Sequence, residues 1–182
     1  NKKYKIIKGD ITNSKFLNNL IKYNKFDFCY HLAAISQVLN SNTFPEMTYK
    51  VNIFGTINLL ESFRKYQPKT HIIFSSSDKV YGDSQKLPYS ENSPLNALNF
   101  YDSSKASADI ICRTYANSFK MKIIVTRFVN IYGPGDVNWD RIIPGTIKYL
   151  IKNKKPILRS NGNFIRDYIY IDDVISGYIA LS

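Results

Sequence analysis

The 182 residues carry 25 Lys and Arg against 14 Asp and Glu, a formal charge of 25 − 14 = +11, with 44% hydrophobic and 14% aromatic side chains. That apolar content excludes a disordered or collagen-like chain, because it can offset the entropy of ordering, and the length suits a single packed core. No apolar run reaches the about 18 residues that cross a bilayer, and Cys29 and Cys112 alone make neither a disulfide framework nor a zinc site.

Tyr4 to Lys8 reads as a short strand closed by Gly9-Asp10, and Asn13 or Ser14 can cap a helix with apolar positions Phe16, Leu17, Leu20 and Ile21. Phe26 to Ala34 is a nearly continuous apolar strand, the pattern of a strand covered on both faces. Pro45 opens a long helix to about Tyr66 with Val51, Phe54, Ile57, Leu59 and Leu60 as its buried stripe. His71 to Ser75 is the next strand, followed by a long Ser, Asn, Pro and Gly loop over 78–100, a length usually tied to function. A helix from Tyr101 to about Phe119, a strand Lys122 to Phe128 and the turn Gly133-Pro134-Gly135 come next. Asp140 to Asn153 is helical, Pro156 to Leu158 and Tyr168 to Ile171 are short strands, and Asp172 to Leu181 is a final helix. Strands alternating with helices of this length predict βαβ units and a parallel sheet. No Gly-rich G-x-G-x-x-G turn occurs, so the chain is expected to be a fragment that lacks a first βαβ unit and a C-terminal part.

The lysines run from Lys2 to Lys155 without a block of five or six, and no RNA-binding signature is present. They read as solvated faces, with neither nucleic acid nor membrane as partner and the cytoplasm as the expected location. The short clusters at Lys2-Lys3 and Lys152 to Lys155 fit the same reading.

Tyr101-Asp102-Ser103-Ser104-Lys105 opens a helix, so Tyr101 and Lys105 share a face at i and i+4. A neighbouring ammonium favours the phenolate and turns a weak acid into a general base; the same spacing also suits a surface helix pair. Ser75 to Gly82 follows a strand, where parallel α/β sheets place ligands, and a hydroxyl there can meet a substrate oxygen; a Ser-rich turn is the plain alternative.

With these segments the chain resembles the extended short-chain dehydrogenase/reductases that act on nucleotide sugars, the NAD-dependent epimerase/dehydratase family. The likeness runs in order through Gly9-Asp10-Ile11, His31-Leu32-Ala33-Ala34, Asn52-x-x-Gly55-Thr56, Ser75 to Gly82, Tyr101-x-x-x-Lys105, Arg127-Phe128-x-Asn130-x-Tyr132-Gly133-Pro134-Gly135 and Arg166 to Val174. It implies an α/β, Rossmann-like doubly wound parallel sheet, incomplete at both ends, with residues 1–131 a partial NAD-binding domain and 132–182 the beginning of a nucleotide-sugar-binding lobe. Ser77, Tyr101 and Lys105 would be the catalytic Ser-Tyr-Lys set; Asp10 and Ile11 would hold the adenine, Ala33 and Ala34 would line the cofactor's path, and Asn52 would support the hydrogen bonds on the lysine side. Tyr101 and Lys105 would also touch the nicotinamide ribose.

Within the family, epimerases of the UDP-galactose type tend to have a small residue after the catalytic hydroxyl, whereas 4,6-dehydratases have an acid, most often followed by Glu. Asp78-Lys79, with Gly135-Asp136, Trp139 and Asp140 to Pro144, looks closest to CDP-glucose 4,6-dehydratase and its relatives. In the implied reaction Tyr101 takes the proton of the sugar 4-hydroxyl while hydride leaves carbon 4 for NAD, water is lost across carbons 5 and 6, and the hydride returns to carbon 6. Asp78 is the candidate acid. Lys79 departs from Glu and is either a base of depressed pKa or an electrostatic partner of Asp78. Arg141 and Arg166 are candidate forks for the sugar nucleotide's diphosphate, with Asn130 donating to the same group; the plain alternative for Arg166-Asp167 is a strand-edge ion pair. His31 and His71 are structural, with no metal. A homodimer through the helices near Pro45 and Tyr101 is implied. The alternatives are a nucleotide-sugar epimerase or reductase of the same fold, and a truncated non-catalytic chain serving as a binding or assembly piece.

Overall fold

Asn13 starts the first regular element of the computed structural model, which describes residues 4–83, 87–158 and 160–182. Its side-chain oxygen accepts the Phe16 amide hydrogen at 3.0 Å, and helix α1 (Ser14–Tyr23) follows, burying Leu17 and Ile21. Strand β1 (Phe28–His31) leads to helix α2 (Val38–Thr43) and then to α3 (Pro45–Tyr49), which has Pro at its first position, where no amide hydrogen is needed. The expected single helix from Pro45 is interrupted: Lys50–Gly55 widens into a π-helical turn before α4 (Thr56–Tyr66). Gly55 lets Ile11 pack close in that turn, since a Cβ there would lie 2.6 Å from Ile11 Cδ1 and push that side chain aside.

Strand β2 (His71–Ser75) has the limits expected from sequence, and α5 (Phe100–Phe119) begins where the Asn99 side chain accepts the Asp102 amide hydrogen at 2.9 Å. β3 (Ile123–Thr126) is shorter than its apolar run. The three strands are parallel in the order β1-β2-β3, with Tyr30 opposite Ile73 and Ile73 opposite Ile124. The main core joins Leu17 and Ile21 of α1, Leu60 and Phe63 of α4, Ile72 and Phe74 of β2, and Ala108 and Cys112 of α5. Each large aliphatic or aromatic side chain so buried stabilises by roughly 1.5–3 kcal/mol. Cys29 and Cys112 belong to this packing, and burial pushes both thiols up to about 12, so they are inert.

Two expected strands are absent. Tyr4 to Lys8 and Pro156 to Leu158 are irregular, with Tyr4 and Ile6 85% and 82% exposed. A strand exists only where a neighbour takes its backbone groups, and among the described residues none does so here.

The chain divides into two compact units, the first ending at Arg127 and the second spanning Phe128–Leu181. The second has a parallel pair, β4 (Asn130–Tyr132) and β5 (Tyr168–Tyr170), with Asn130 opposite Tyr168, and two helices, α6 (Ile142–Ile151) and α7 (Ile171–Ala180). β4 was not expected: its three residues are all half-buried, so no alternation marks it. Among the described residues no helix is long and apolar enough to cross a membrane.

Candidate functional site

The carboxyl end of β2 runs directly into Ser76, Ser77 and a 3-10 turn at Asp78–Tyr81. Ser77 caps that turn: its hydroxyl oxygen accepts the Lys79 amide hydrogen at 3.3 Å, and the hydroxyl donates to Asp78 Oδ1 at 3.0 Å. Lys79 Nζ lies 3.4 Å from Asp78 Oδ2. Gly82 closes the turn at φ +64, where a Cβ would strike the Asn96 carbonyl at 1.9 Å. The rest of the expected 78–100 loop follows, its residues 84–86 lying outside the described ones.

Helix α5 packs against this turn and brings in Tyr101 and Lys105 on successive turns. Tyr101 is half-buried. Lys105 is 5% exposed; its ammonium donates to the Ser75 carbonyl and stands 4.6 Å from the Phe74 ring centroid. Burial pulls its pKa from 10.5 down to about 8, against weaker opposing pulls from Cys112 and Asp109. A buried ammonium one turn from a phenol at a strand end favours the phenolate, the form that general-base chemistry requires.

Asn52, in the π-helical turn and 2% exposed, ties the loop after β1 to this helix. Its amide oxygen accepts the Ile35 amide hydrogen at 2.8 Å, and its NH2 donates to the Ile35 carbonyl at 3.0 Å and to Ser104 Oγ at 2.8 Å. Ser104 in turn donates to the Tyr101 carbonyl at 2.7 Å. Asn52 therefore reaches the lysine's neighbour, and it acts on the backbone of Tyr101. Beside it Thr56 donates to the Asn52 carbonyl at 2.7 Å, so His31 Nε2, 2.9 Å from Thr56 Oγ1, must carry the proton of that contact. Burial, reinforced by Lys105, lowers the His31 pKa to about 4 and keeps the ring neutral.

Asp10 is exposed; its carboxylate accepts the Thr12 amide hydrogen at 2.8 Å, and that bond holds its pKa below the usual range. Ile11 lies against Gly55, and Ala33 and Ala34, exposed and half-buried, follow β1. In the second unit Asn130 donates to the Asp167 carbonyl at 3.1 Å. Arg141 forks onto Asp136 at 2.8 Å and the Ile131 carbonyl. Arg166 is exposed and meets its neighbour Ile165's carbonyl at 3.0 Å and the Phe164 ring at 5.0 Å. Trp139 and Asp140 line a cavity of about 270 Å³ with Lys148, Tyr149, Lys152 and Lys154. Among the described residues no His, Cys, Asp and Glu cluster is arranged to hold a metal ion.

Sequence reasoning gave no role to Ser104, Asp102 or Asp109. Asp109 is fully buried and takes Arg127 on both oxygens, at 2.8 and 2.9 Å, while Arg127 also donates to Tyr81 Oη at 2.8 Å. The signal for the two acids was present: 102, 105, 106 and 109 recur at the i, i+3, i+4, i+7 spacing of one buried helical face.

The family model described as GDP-mannose 4,6 dehydratase matches residues 1–182. A dTDP-D-glucose 4,6-dehydratase of Dictyostelium discoideum is 38% identical over 96% of this chain and 42% of its own length. The human protein of that name is 34% identical over 98% and 50%. Among solved structures, dTDP-glucose 4,6-dehydratase of Bacillus anthracis in complex with NAD superposes with TM-score 0.85 at 32% identity, covering 96% of this chain and 53% of that one. UDP-glucose 4-epimerase of Thermotoga maritima superposes with TM-score 0.88 at 26% identity, covering 94% and 56%. The architecture is thus the Rossmann-like one of the extended short-chain dehydrogenase/reductases, and the chain spans about half the length of the curated relatives it matches.

Proposed function

The chain belongs to the GDP-mannose 4,6 dehydratase family, and from that premise we propose that the whole protein is a cytoplasmic NAD-dependent nucleotide-sugar 4,6-dehydratase, with Tyr101 as base. The observation that carries this reading is Lys105, buried against the Ser75 carbonyl one turn from Tyr101 and lowered to about 8.

The residues present suit the two nucleoside ends of a dinucleotide. Lys105 spends one ammonium hydrogen on Ser75 and would have two for ribose hydroxyls, small Ala33 and Ala34 would line the cofactor's path beside the strand end, and Asp10, its carboxylate fixed by Thr12, would hold the adenosine with Ile11. A Gly-rich diphosphate turn is not among the 182 residues. The chemistry such a cofactor supplies when bound is reversible hydride acceptance. Around it Tyr101 takes the proton of the sugar 4-hydroxyl, and Ser77 turns from Asp78 to donate to the developing oxygen charge. Asp78, once protonated, delivers its proton to the departing carbon 6 hydroxyl. Asn52 sets Tyr101 through Ser104; residues 1–131 belong to the cofactor domain and 132–182 begin the sugar-nucleotide lobe, with Asn130, Arg141 and Arg166 binding the diphosphate. A homodimer through the helices beginning at Pro45 and Phe100 completes the reading; Met47, Phe54 and Ile110 are exposed on them.

Asp78 is engaged by Lys79 rather than left free toward a substrate, which favours a second reading, an epimerase, in which position 78 gives no proton. The pattern at 78–79 points to CDP-glucose and the relatives' names to dTDP-glucose, so a screen must carry both. The whole protein with NAD is expected to accumulate a 4-keto-6-deoxy nucleotide sugar, detected by mass spectrometry, and Tyr101→Phe to abolish it with the fold intact. Interconversion of 4-epimers without that product would decide for the epimerase; unchanged turnover in Tyr101→Phe would remove the base assignment.

A further inference from the structure

Asp102 is the third residue of α5 and only 7% exposed. Its backbone amide donates to Asn99, and the Asn99 amide donates back to Oδ2, a reciprocal cap that explains an acid at this position. The cap accounts for one oxygen only. Oδ1 is buried and has no hydrogen-bond partner among the described residues, a state that is costly for an ordinary acceptor and more so for a charged one. Such an atom calls for a donor that arrives in another state of the molecule.

Lys79 is the candidate donor. Asp102 shares its helix face with Lys105, Ala106 and Asp109, and Ala106 packs with Val80 and Tyr81 of the turn that holds Asp78 and Lys79. Lys79 has a side chain 35% exposed and a long 3.4 Å contact to Asp78, a loose engagement. The charges that bear on Asp102 are those of Lys79, Asp78 and Asp83; burial is the largest influence and raises its pKa, with Lys79 pulling it back down.

We infer that Asp102 is a positioning residue for Lys79: its free oxygen takes the Lys79 ammonium from Asp78 when the substrate is bound, releasing Asp78 to act as the acid. This rests on the dehydratase reading. The exchange breaks one ion pair and forms another; Asp78, now unpaired, takes a proton from solvent and gives it to the departing carbon 6 hydroxyl, which leaves as water as the carbon 6–oxygen bond breaks. The carbon 5 proton passes to solvent, and its bonding electron pair forms the carbon 5–carbon 6 double bond. It also removes the conflict between an acid at 78 and a cation beside it.

Two measurements on the whole protein separate this exchange from the reaction itself. In protein labelled with carbon-13 at aspartate carboxyls, with Asp102→Asn used for assignment and Tyr101→Phe to halt turnover, binding of dTDP-glucose or CDP-glucose is expected to lower the Asp102 titration midpoint by about one pH unit and Lys79→Met to abolish that drop; a midpoint unmoved on binding overturns the proposal whatever the enzyme does. In steady-state kinetics Asp102→Asn is expected to move the alkaline limb of 4-keto-6-deoxy product formation to lower pH by about one unit, with the limb restored in Asp102→Glu. A uniform loss of rate with the limb unmoved means that Asp102 only caps the helix, and that also overturns it. Absence of the product from wild-type protein defeats the dehydratase reading, and the titration then decides the Lys79 to Asp102 contact alone.

Discussion

Of the charged side chains that helix α5 buries, Lys105 and Asp109 stand four residues apart and are treated in opposite ways. Asp109 is fully buried with both oxygens occupied, Oδ2 by Arg127 at 2.8 Å and Oδ1 by Arg127 at 2.9 Å and Arg113 at 3.0 Å. Arg127 has further acceptors in the Tyr81 hydroxyl and the Glu91 carbonyl, and its own proton is held more firmly still. Lys105 has one carbonyl and one aromatic face, and its proton is loosened towards about 8. A buried charge with every lone pair and hydrogen matched is architecture, while one left short of partners is poised to exchange protons or accept new ligands.

The sharpest way to break this contrast is to unpair Asp109. Asp109→Asn keeps the shape but leaves the Arg127 guanidinium without its counter-charge, and removing one partner of a buried pair typically costs about 3–5 kcal/mol. Denaturant unfolding of the whole protein is expected to show a loss of that size. A loss below about 1 kcal/mol would mean that solvent reaches the pair and that the two ends of α5 do not differ in kind.

Lys105 makes the converse case through pH. The folded chain releases the Lys105 proton near 8 and the unfolded chain holds it to 10.5, so the unfolded state binds more protons between those values and stability rises with pH across them. Measured against Lys105→Met, which has no proton to lose, the whole protein is expected to gain about 3 kcal/mol from pH 8 to pH 10.5 and to show no relative change below pH 7. A flat difference across that window would place the ammonium in water.

Why one of these two features was legible in the sequence and the other was not follows from range. Tyr101 and Lys105 lie within one helical turn, so spacing alone pairs them, and the strand before the Ser75 to Gly82 turn has limits its apolar run fixes. Ser77 within that turn is singled out only by the family resemblance. Arg127 and Asp109 are 18 residues apart and meet only because β3 leads back along α5. The same limit explains the failures: the apolar runs at 4–8 and 156–158 contain nothing that says whether a neighbouring strand exists, and β4 is three half-buried residues. Asp102 stood in plain view inside the motif, but its significance depends on one oxygen's missing partner, which no spacing reveals.

The smallest expected effect tests the contrast on a single carboxylate. Asp109 Oδ1 accepts from two arginines at nearly equal distances, 2.9 Å from Arg127 Nη2 and 3.0 Å from Arg113 Nε, so geometry alone would rank them as equals. Their surroundings differ: the Arg127 side chain is 13% exposed and the Arg113 side chain 54%. At Arg113 water competes for the guanidinium, salt screens the attraction, and a long side chain must be held still, so such pairs contribute roughly 0.2–1 kcal/mol. Arg113→Gln is therefore expected to lower stability by less than about 1 kcal/mol, and by less again in 0.5 M salt, because Arg127 still satisfies both oxygens. A loss comparable with that of Asp109→Asn would show that both guanidinium groups are needed to neutralise the acid. Desolvation, rather than contact distance, would then no longer explain why one end of α5 holds its charge so much more tightly than the other.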